Sequence, residues 1–266
     1  MEQKKETLLE IHDLSVSFRM YDRGFDQTDL QVISDLSLTV YPGEVVAVAG
    51  SSGSGKSLLA SAILGILPDN ATVKGRLNYK GQELTPERQK QLRGTEIALV
   101  PQSVAFLDPL MKVGEQVDGH RRTAGTSEKR KSLFERFGLP DGTEQLYPFQ
   151  LSGGMARRVL VSTAVMRSAE LIIADEPTPG MSLDQALEAL KMFRELADQG
   201  KAVLLITHDI DLAASFADRM SVFYGGTTVE TVSAKDFVRG PEALSHPYSK
   251  ALWRALPQNG FETIER

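Results

Sequence analysis

Apolar and polar residues follow two different patterns along the chain, and together they predict an antiparallel β portion that leads into an α/β core. Residues 8–18 and 32–40 largely alternate apolar and polar positions, which is typical of strands with one buried face. Shorter, almost wholly apolar runs, typical of strands buried on both faces, follow at residues 44–49, 97–100, 171–174 and 203–206. We therefore expect an N-terminal antiparallel β subdomain beside a buried sheet.

Segments with helical spacing separate the buried runs, at residues 58–65, 85–93, 151–164 and 183–197. Because strands that alternate with helices build parallel sheets with crossover helices, the predicted fold class is α/β with a mostly parallel sheet. Residues 75–82 predict a short hairpin, and residues 102–147 predict a mostly helical insertion. The charged run at residues 127–131 is interpreted as a solvated helix face.

A glycine-rich segment lies between the strand at 44–49 and the helix that follows it. Its sequence, GSSGSGKS, matches the phosphate-loop pattern GxxxxGK[ST] in the strand–loop–helix context that the pattern requires, and it predicts a P-loop NTPase core. In such a loop, backbone N–H groups and the helix N-terminus attract phosphate, the lysine reaches the β- and γ-phosphates, and the last hydroxyl holds Mg²⁺. The predicted triphosphate cradle consists of Gly50, Ser51, Ser52, Gly53, Ser54, Gly55, Lys56 and Ser57, with Ser57 also a Mg²⁺ ligand. A glycine-rich turn without a ligand is the alternative.

Two acidic residues, Asp175 and Glu176, directly follow the apolar run at 171–174. Ligands of open α/β sheets bind at the carboxyl ends of the strands, so we expect both carboxylates at the nucleotide site. Asp175 suits coordination of Mg²⁺, and Glu176 suits polarisation of the water that attacks the γ-phosphate. A plain helix N-cap is the alternative for this pair.

Composition narrows the classes of function. The 266 residues carry a formal net charge of −5, which argues against a dedicated nucleic-acid binder. The chain has no cysteine, so disulfides and thiolate clusters are excluded. We expect neither a signal peptide nor a transmembrane span, because no apolar run approaches the ~20 residues that cross a bilayer. If the protein acts at a membrane, another chain must cross it.

The segment Leu151–Gly154 has the sequence LSGG at a predicted helix start, and here the chain resembles the ATP-binding cassette (ABC) ATPases, whose signature is LSGGQ. The resemblance covers residues 8–256 and implies an ABC nucleotide-binding domain that hydrolyses ATP with Mg²⁺. It also implies that Ser152, Gly153 and Gly154 form a second phosphate cradle, which faces the γ-phosphate held by a second cassette subunit.

Other motifs of this family occur in the expected order. The resemblance implies that Gln102 is the Q-loop glutamine, which senses Mg²⁺, takes part in catalysis and contacts a transmembrane partner. His208 matches the switch histidine that contacts the γ-phosphate, and with Glu176 and Gln102 it completes the predicted catalytic set. For the aromatic ring that stacks on adenine the candidate is Phe18, with Tyr21 or a purely structural aromatic as alternatives.

Two positions depart from the family pattern. Met155 replaces the last glutamine of the signature, a change familiar in the peptide and nickel importer branch. Ser182 stands where the D-loop aspartate is expected, although Asp184 follows two residues later. In this family the D-loop, which is the segment after the acidic pair, serves communication between two ATP sites. The serine at position 182 therefore predicts that the chain pairs with a different cassette subunit and forms two unequal sites.

The segment at 246–252, HPYSKAL, resembles the tail of the dipeptide, oligopeptide and nickel importer ATPases. The stretches LGILP at 64–68 and YPF at 147–149 are most similar to the nickel and metallophore end of this branch. The resemblance implies an importer of peptides, nickel or metal chelates with two transmembrane permease subunits, an extracytoplasmic substrate-binding protein and no nucleic acid. It also implies a peripheral location at the cytoplasmic face of the inner membrane.

Residues 1–266 are expected to form one ABC ATPase domain. Within it, we expect the nucleotide-binding core at 8–101 and 156–232, a helical subdomain with the signature at 102–155, and a C-terminal extension at 233–266. The alternative function is that of a soluble ABC-type ATPase that acts on nucleic acid or ribosomes. DNA-repair members carry a long coiled coil before the signature, and no sustained heptads occur here. Translation-factor members carry two cassettes, and a small-molecule kinase has no reason to contain LSGG.

Overall fold

The computed structural model describes residues 6–21, 27–51, 53–119, 123, 125–167 and 169–256. Their strands are β1 (Leu9–Tyr21), β2 (Gln27–Val40), β3 (Val45–Gly50), β4 (Ala71–Tyr79), β5 (Gln82–Glu83), β6 (Ile97–Val100), β7 (Leu171–Asp175), β8 (Ala202–Thr207), β9 (Arg219–Tyr224) and β10 (Thr227–Ser233). Their α-helices are α1 (Lys56–Leu64), α2 (Pro86–Leu92), α3 (Val113–Asp118), α4 (Thr126–Arg136), α5 (Gly153–Met166), α6 (Leu183–Asp198), α7 (Ile210–Phe216), α8 (Ala234–Arg239) and α9 (Pro247–Arg254). None of the helices in this described part of the chain is long and apolar enough to cross a bilayer.

The first sheet is antiparallel, with the strand order β2, β1, β4, β5. Bulges interrupt the pairing of β1 with β2 near Asp13 and Asp35, whose φ angles of 50° and 48° lie in the left-handed region. The Asp13 N–H donates to Ser37 Oγ at 3.0 Å, and the Asp35 N–H donates to Ser15 Oγ at 3.0 Å. These hydrogen bonds support the two bulges, between which Leu14 and Leu36 are fully buried.

The second sheet has the strand order β10, β9, β3, β8, β7, β6, and only the β9–β10 pairing is antiparallel. Both faces of this sheet are covered at its parallel strands, because alternate residues of these strands enter different cores. In β3, Val46 and Val48 pack towards the first sheet, and Val45, Ala47 and Ala49 pack towards the helices. Burial on both faces explains why β3, β6, β7 and β8 have nearly continuous apolar sequences.

Two apolar cores hold the layers together. One lies between the two sheets and includes residues of α1, such as Leu59 and Ile63. The other lies on the opposite face of the parallel sheet, where α5, α6, α7 and α8 pack together with residues of α3 and α4. Leu133 and Phe137, in and just after α4, belong to this second core, so the insertion is packed continuously with the sheet.

The predicted α/β class is confirmed, and the differences concern individual elements. β1 and β2 are longer than the predicted strands at 8–18 and 32–40. The insertion was predicted as mostly helical, but its described residues contain only α3, α4 and single-turn helices joined by loops. Pro109 and Pro140 explain part of this difference, because proline interrupts helices. The solvated helix face is confirmed for α4, since Glu128 is exposed along with its lysine neighbours.

Candidate active site

The loops that carry the predicted site residues follow neighbouring strands of the parallel sheet. β8 lies between β3 and β7, and β6 lies next to β7. These four strands end at Gly50, Val100, Asp175 and Thr207. Because parallel strands end at the same edge, this order brings loops that are distant in sequence to one side of the molecule.

The phosphate loop (residues 50–57) begins where β3 touches β9. A Cβ at Gly50 would lie 2.2 Å from the carbonyl oxygen of Phe223, so only glycine fits there. Gly53 and Gly55 have φ angles of 76° and 98°, and Gly55 is the N-cap of α1. This backbone conformation, which glycine adopts at little cost, turns the chain sharply from the strand into the helix. Ser52 lies outside the described residues.

Lys56 is in the first turn of α1, and only 5% of it is exposed. Its Nζ donates hydrogen bonds to Gly50 O at 2.9 Å and Ser51 O at 2.7 Å, and lies 3.4 Å from Ser54 Oγ. Burial lowers the pKa of the Lys56 amine, and the negative charges of the acidic pair (Asp175–Glu176) oppose this shift. The loop therefore holds a desolvated cation at the place where the phosphates are expected.

Ser57 and Asp175 meet although they are 118 residues apart in sequence, because α1 begins beside the end of β7. The Ser57 hydroxyl donates to Asp175 Oδ1 at 3.0 Å. Burial raises the pKa of Asp175, whereas the hydrogen bond from Ser57 lowers it. A hydroxyl and a carboxylate oxygen in contact form a suitable donor set for a hard cation such as Mg²⁺.

No group of three or more His, Cys, Asp or Glu side chains among the described residues could hold a metal ion by itself. Mg²⁺ does not need such a cage, because it is usually bound by one or two protein oxygens together with substrate phosphates and water. Ser57 and Asp175 therefore fit a Mg²⁺ that arrives with the nucleotide.

Glu176 is held by neighbouring backbone and side-chain groups. Its φ angle of 47° is left-handed, which is unusual for a residue other than glycine, and its N–H donates to Ile206 O at 2.8 Å. Glu176 is 7% exposed, and its Oε2 lies 2.8 Å from His208 Nδ1 and 3.5 Å from the Thr207 hydroxyl. The His208 side chain is 56% exposed, so the buried carboxylate of Glu176 contacts a side chain that solvent and ligands can reach.

Two other predicted site residues lie farther from these contacts. Gln102 follows the end of β6 by two residues and is exposed at the same sheet edge. Phe18, on β1, is partly buried against the core between the two sheets. Stacking of Phe18 on adenine stays a prediction, and the side chain of Tyr21 is outside what the structure describes.

The LSGG segment begins α5, which we call the signature helix. Ser152 is its N-cap, and the Ser152 Oγ accepts a hydrogen bond from the Met155 N–H at 3.3 Å. Gly153 is exposed, and a Cβ there would have no heavy atom within 4 Å. A Cβ at Gly154 would lie 2.9 Å from Gly180 O, so the first helical turn touches the loop that follows Glu176.

Ser182, the residue at the expected D-loop aspartate, has a structural role. It is the N-cap of α6, and its hydroxyl accepts from the Gln185 N–H at 3.4 Å while Gln185 Oε1 accepts from the Ser182 N–H at 3.2 Å. This reciprocal arrangement is a capping box. The serine therefore begins the helix as an aspartate would, but without a carboxylate.

One charged side chain near the site was not predicted. Arg157 of the signature helix is 8% exposed, and its Nη1 donates to Pro101 O at 2.9 Å, next to Gln102. A signal exists in the sequence, because Arg157 precedes Leu160 and Val161 by three and four residues, the spacing of one helix face.

Comparison with known proteins connects this geometry to a family. The family model described as ABC transporter matches residues 33–179, a span that runs from the second strand through the phosphate loop and the signature to the segment after Glu176. The chain belongs to the ABC transporter family. The cassette therefore binds ATP and is an ATPase, while the roles of its individual residues stay predictions.

Curated relatives cover nearly the whole cassette. It is 33% identical to the putative peptide import ATP-binding protein of Brucella abortus strain 2308, over 96% of this chain and 78% of that protein. It is also 33% identical to the oligopeptide transport ATP-binding protein OppD of Salmonella typhimurium, over 99% of this chain and 80% of that protein. These matches confirm the predicted resemblance to ABC importer ATPases of the peptide branch.

Solved structures show the same fold. The cassette is similar to the ATP-binding subunit of an ABC transporter with a TM-score of 0.71 and 24% identity, over 87% of this chain and 92% of that one. It is similar to the cassette MJ0796 bound to ADP and phosphate with a TM-score of 0.72 and 23% identity, over 85% of this chain and 99% of that one. The predicted ABC nucleotide-binding fold is thereby confirmed.

Proposed function

We propose that this cassette hydrolyses ATP to drive a peptide importer, as the peripheral subunit at the cytoplasmic face of the membrane. The observation that carries the proposal is the set of contacts at one sheet edge: Lys56 within the phosphate loop, Ser57 on Asp175, and Glu176 on His208. The import direction and the peptide cargo rest on the names of the relatives, which are a putative peptide import protein and an oligopeptide transport protein.

The described contacts support a different role for each of these side chains in ATP hydrolysis. Lys56 and the backbone N–H groups of the phosphate loop would bind the β- and γ-phosphates of ATP. Ser57 and Asp175 would hold Mg²⁺, which supplies neutralisation of the phosphate charge when it is bound. Glu176 would accept a hydrogen bond from the attacking water, whose oxygen bonds to the γ-phosphorus as the bond from that phosphorus to ADP breaks. His208, at 2.8 Å from Glu176, would orient that carboxylate.

The partners follow from the same reasoning. We propose two permease subunits, a substrate-binding protein outside the cell and a second cassette, which would place its own LSGG segment over the ATP at residues 50–57. In the segment that follows Gln102, the exposed Phe106 lines a groove of about 450 Å³ together with Asp108 and Met111, and Leu110 of the same segment is also exposed. Exposed apolar side chains around a groove favour contact with another protein, which supports docking of a permease here.

The cargo is the least constrained part of the proposal. Peptides are favoured by the two curated relatives, whereas nickel or a metal chelate remains a prediction based on the stretches at 64–68 and 147–149. The cassette would not contact the cargo itself. Uptake of a labelled dipeptide and of radioactive nickel by vesicles that hold the complete transporter would distinguish the two.

The catalytic assignment is tested by Glu176→Gln. We expect this variant to bind ATP with nearly wild-type affinity and to hydrolyse it roughly 100-fold more slowly or worse, because the amide cannot accept the proton of the attacking water. Phosphate release and binding of a fluorescent ATP analogue measure the two properties separately.

Glu170→Gln is the matched control for this experiment. Glu170 lies just before β7, at the opposite end of the strand from Glu176, and pairs with Lys80 at 2.9 Å. We expect its replacement to leave hydrolysis unchanged. Near-normal hydrolysis by Glu176→Gln would refute the assignment of Glu176.

A further inference from the structure

Arg157 is a buried cation that the proposed mechanism does not use. It lies in the second turn of the signature helix and is 8% exposed. One guanidinium nitrogen, Nη1, donates to Pro101 O at 2.9 Å, and among the described residues the buried Nε has no hydrogen-bond partner. Burial of a charged group with incomplete hydrogen bonding is costly unless nearby charges compensate for it.

The acidic pair provides that compensation. Burial lowers the pKa of Arg157, and the negative charges of Asp175 and Glu176 raise it. In the other direction, the charges of Arg157 and Lys56 both lower the pKa of Asp175. The charges of two buried cations therefore act on the acidic pair, one from the phosphate loop and one from the signature helix.

The signature helix also contacts the backbone on either side of the site. Arg157 binds the carbonyl directly before Gln102, and Gly154 approaches Gly180 O so closely that a Cβ would lie 2.9 Å from it. The helix therefore touches the loop after β6 and the loop after β7. Arg157 is the charged member of these contacts.

We propose that Arg157 is a positioning residue, which fixes the signature helix to the backbone beside Gln102 and holds the Asp175–Glu176 pair in place by its charge. This inference rests on the proposed function of that pair. Displacement of the signature helix would move the buried charge of Arg157 relative to Glu176. In the proposed function, the signature helix contacts the ATP held by the second cassette, and Glu176 acts on the ATP held by residues 50–57 of this chain. Arg157 would therefore couple the two ATP sites.

The adjacent Arg158 is a natural control. It is also 8% exposed, and its guanidinium donates to Phe137 O and Gly138 O at 2.6 and 3.0 Å and to Gly154 O at 3.1 Å. Burial lowers its pKa with no opposing effect of a carboxylate. Replacement of Arg158 therefore removes a buried guanidinium of equal exposure without changing the charge near Asp175 and Glu176.

The kinetic test compares Arg157→Met with Arg157→Lys. We expect Arg157→Met to reduce kcat by about 10-fold to 100-fold, with the KM for ATP within about threefold of wild type, because misplacement of reacting groups slows the chemical step more than binding. Arg157→Lys keeps the charge and should recover most of the lost kcat. A wild-type kcat in Arg157→Met, or a lysine variant no better than the methionine variant, would overturn the proposal.

A second measurement does not depend on activity. The shift in the urea midpoint caused by Arg157→Met is measured in the wild type and in a protein that carries both Asp175→Asn and Glu176→Gln. We expect a clearly smaller shift, or a reversed one, in the uncharged background, because the compensating carboxylates are absent there. Arg158→Met should give the same shift in both backgrounds.

The two proposals fail in different ways. Equal shifts for Arg157→Met in both backgrounds would overturn the role of Arg157, whatever the outcome for hydrolysis. Normal hydrolysis by Glu176→Gln alone would overturn the proposed function of that carboxylate, and the unfolding measurement would still decide whether Arg157 is coupled to the pair.

Discussion

At the scale of single residues, Lys56 is a buried positive charge whose hydrogen-bond partners are neutral. Its amine is desolvated in the phosphate loop, where it donates to Gly50 O and Ser51 O. These neutral carbonyls compensate only partly for lost hydration, which agrees with the lowered pKa of Lys56. A triphosphate offers the same amine negatively charged acceptors, so ATP is expected to replace weak partners with strong ones.

Replacement of Lys56 by methionine should therefore affect ligand binding far more than folding. We expect Lys56→Met to fold with a melting temperature close to wild type, because an apolar side chain removes the cost of a buried charge. At ~100 times the Kd, MgATP should raise the wild-type Tm by roughly 5 °C or more, and this rise should be lost in the variant. Differential scanning fluorimetry with and without MgATP measures both quantities.

Lys201→Met provides the control for this prediction. Lys201 is also partly buried and donates to a backbone carbonyl, Ala169 O, at 2.9 Å, but it lies outside the phosphate loop. Its replacement should preserve the rise in Tm with MgATP. A full rise in Lys56→Met would show that Lys56 does not bind the phosphates.

Individual site residues differ in how far the sequence could predict them. Asp175 and Glu176 could be predicted because a strand end and a local motif coincide there. The contact between Glu176 and His208 could not, because it depends on β7 and β8 being neighbours in the sheet. Arg157 escaped prediction because a charged helical residue is usually exposed, and only the packing of α5 shows that it is buried.

At the scale of elements, the hairpin of β9 and β10 joins the two sheets. Its turn, Gly225–Gly226, lies against β2, where the Ser34 N–H donates to Gly226 O at 2.9 Å. Gly226 has a φ angle of 84°, and a Cβ there would lie 2.4 Å from Val32 O. Gly225 has a φ angle of 58°, but a Cβ there would meet no heavy atom within 4 Å.

This pair of glycines gives a matched stability prediction. Gly225→Ala should cost about 1 kcal/mol for the left-handed backbone alone. Gly226→Ala should cost about 3 kcal/mol, because it adds a clash with backbone that must move. Urea unfolding of both variants measures the difference, and equal costs would show that the turn is not held tightly against β2.

The elements themselves were predictable to different degrees. The predicted strands at 44–49, 171–174 and 203–206 are strands in the structure. They could be predicted because a strand that is buried on both faces has a nearly continuous apolar sequence. For the insertion at 102–147, the sequence predicted more helix than the structure contains, because its polar residues show no clear helical or strand periodicity. β9 and β10 were not predicted, although two runs rich in β-branched and aromatic residues around Gly225–Gly226 are a hairpin signal.

At the scale of the whole molecule, the cassette has two segments that are predicted to cradle phosphate, and the contacts of the two segments differ. Lys56 is directed into its own phosphate loop, whereas the hydrogen bonds described for Ser152 and Gly154 lie within the signature helix. Gly153 is exposed, so a partner could approach this cradle. A second cassette is the expected partner in the proposed function.

We predict that this partner is a different chain. A Glu176→Gln protein, which retains ATP, should remain a monomer of about 29.2 kDa by light scattering when ATP is added. It should dimerise only with a second cassette that carries a complete D-loop. Lys56→Met, which should not bind ATP, is the negative control. An ATP-dependent homodimer of the Glu176→Gln protein, or a wild-type homodimer with two equally active sites, would refute the prediction.

The cap at Ser182 has a consequence for how such pairs of cassettes could evolve. Serine and aspartate are about equally good N-caps, so exchange of one for the other leaves the beginning of α6 almost equally stable. The carboxylate at this position can therefore be gained or lost without harm to folding. After a gene duplication, one copy could lose it while the other retains it, and two specialised subunits could diverge through steps that never pass through an unstable protein.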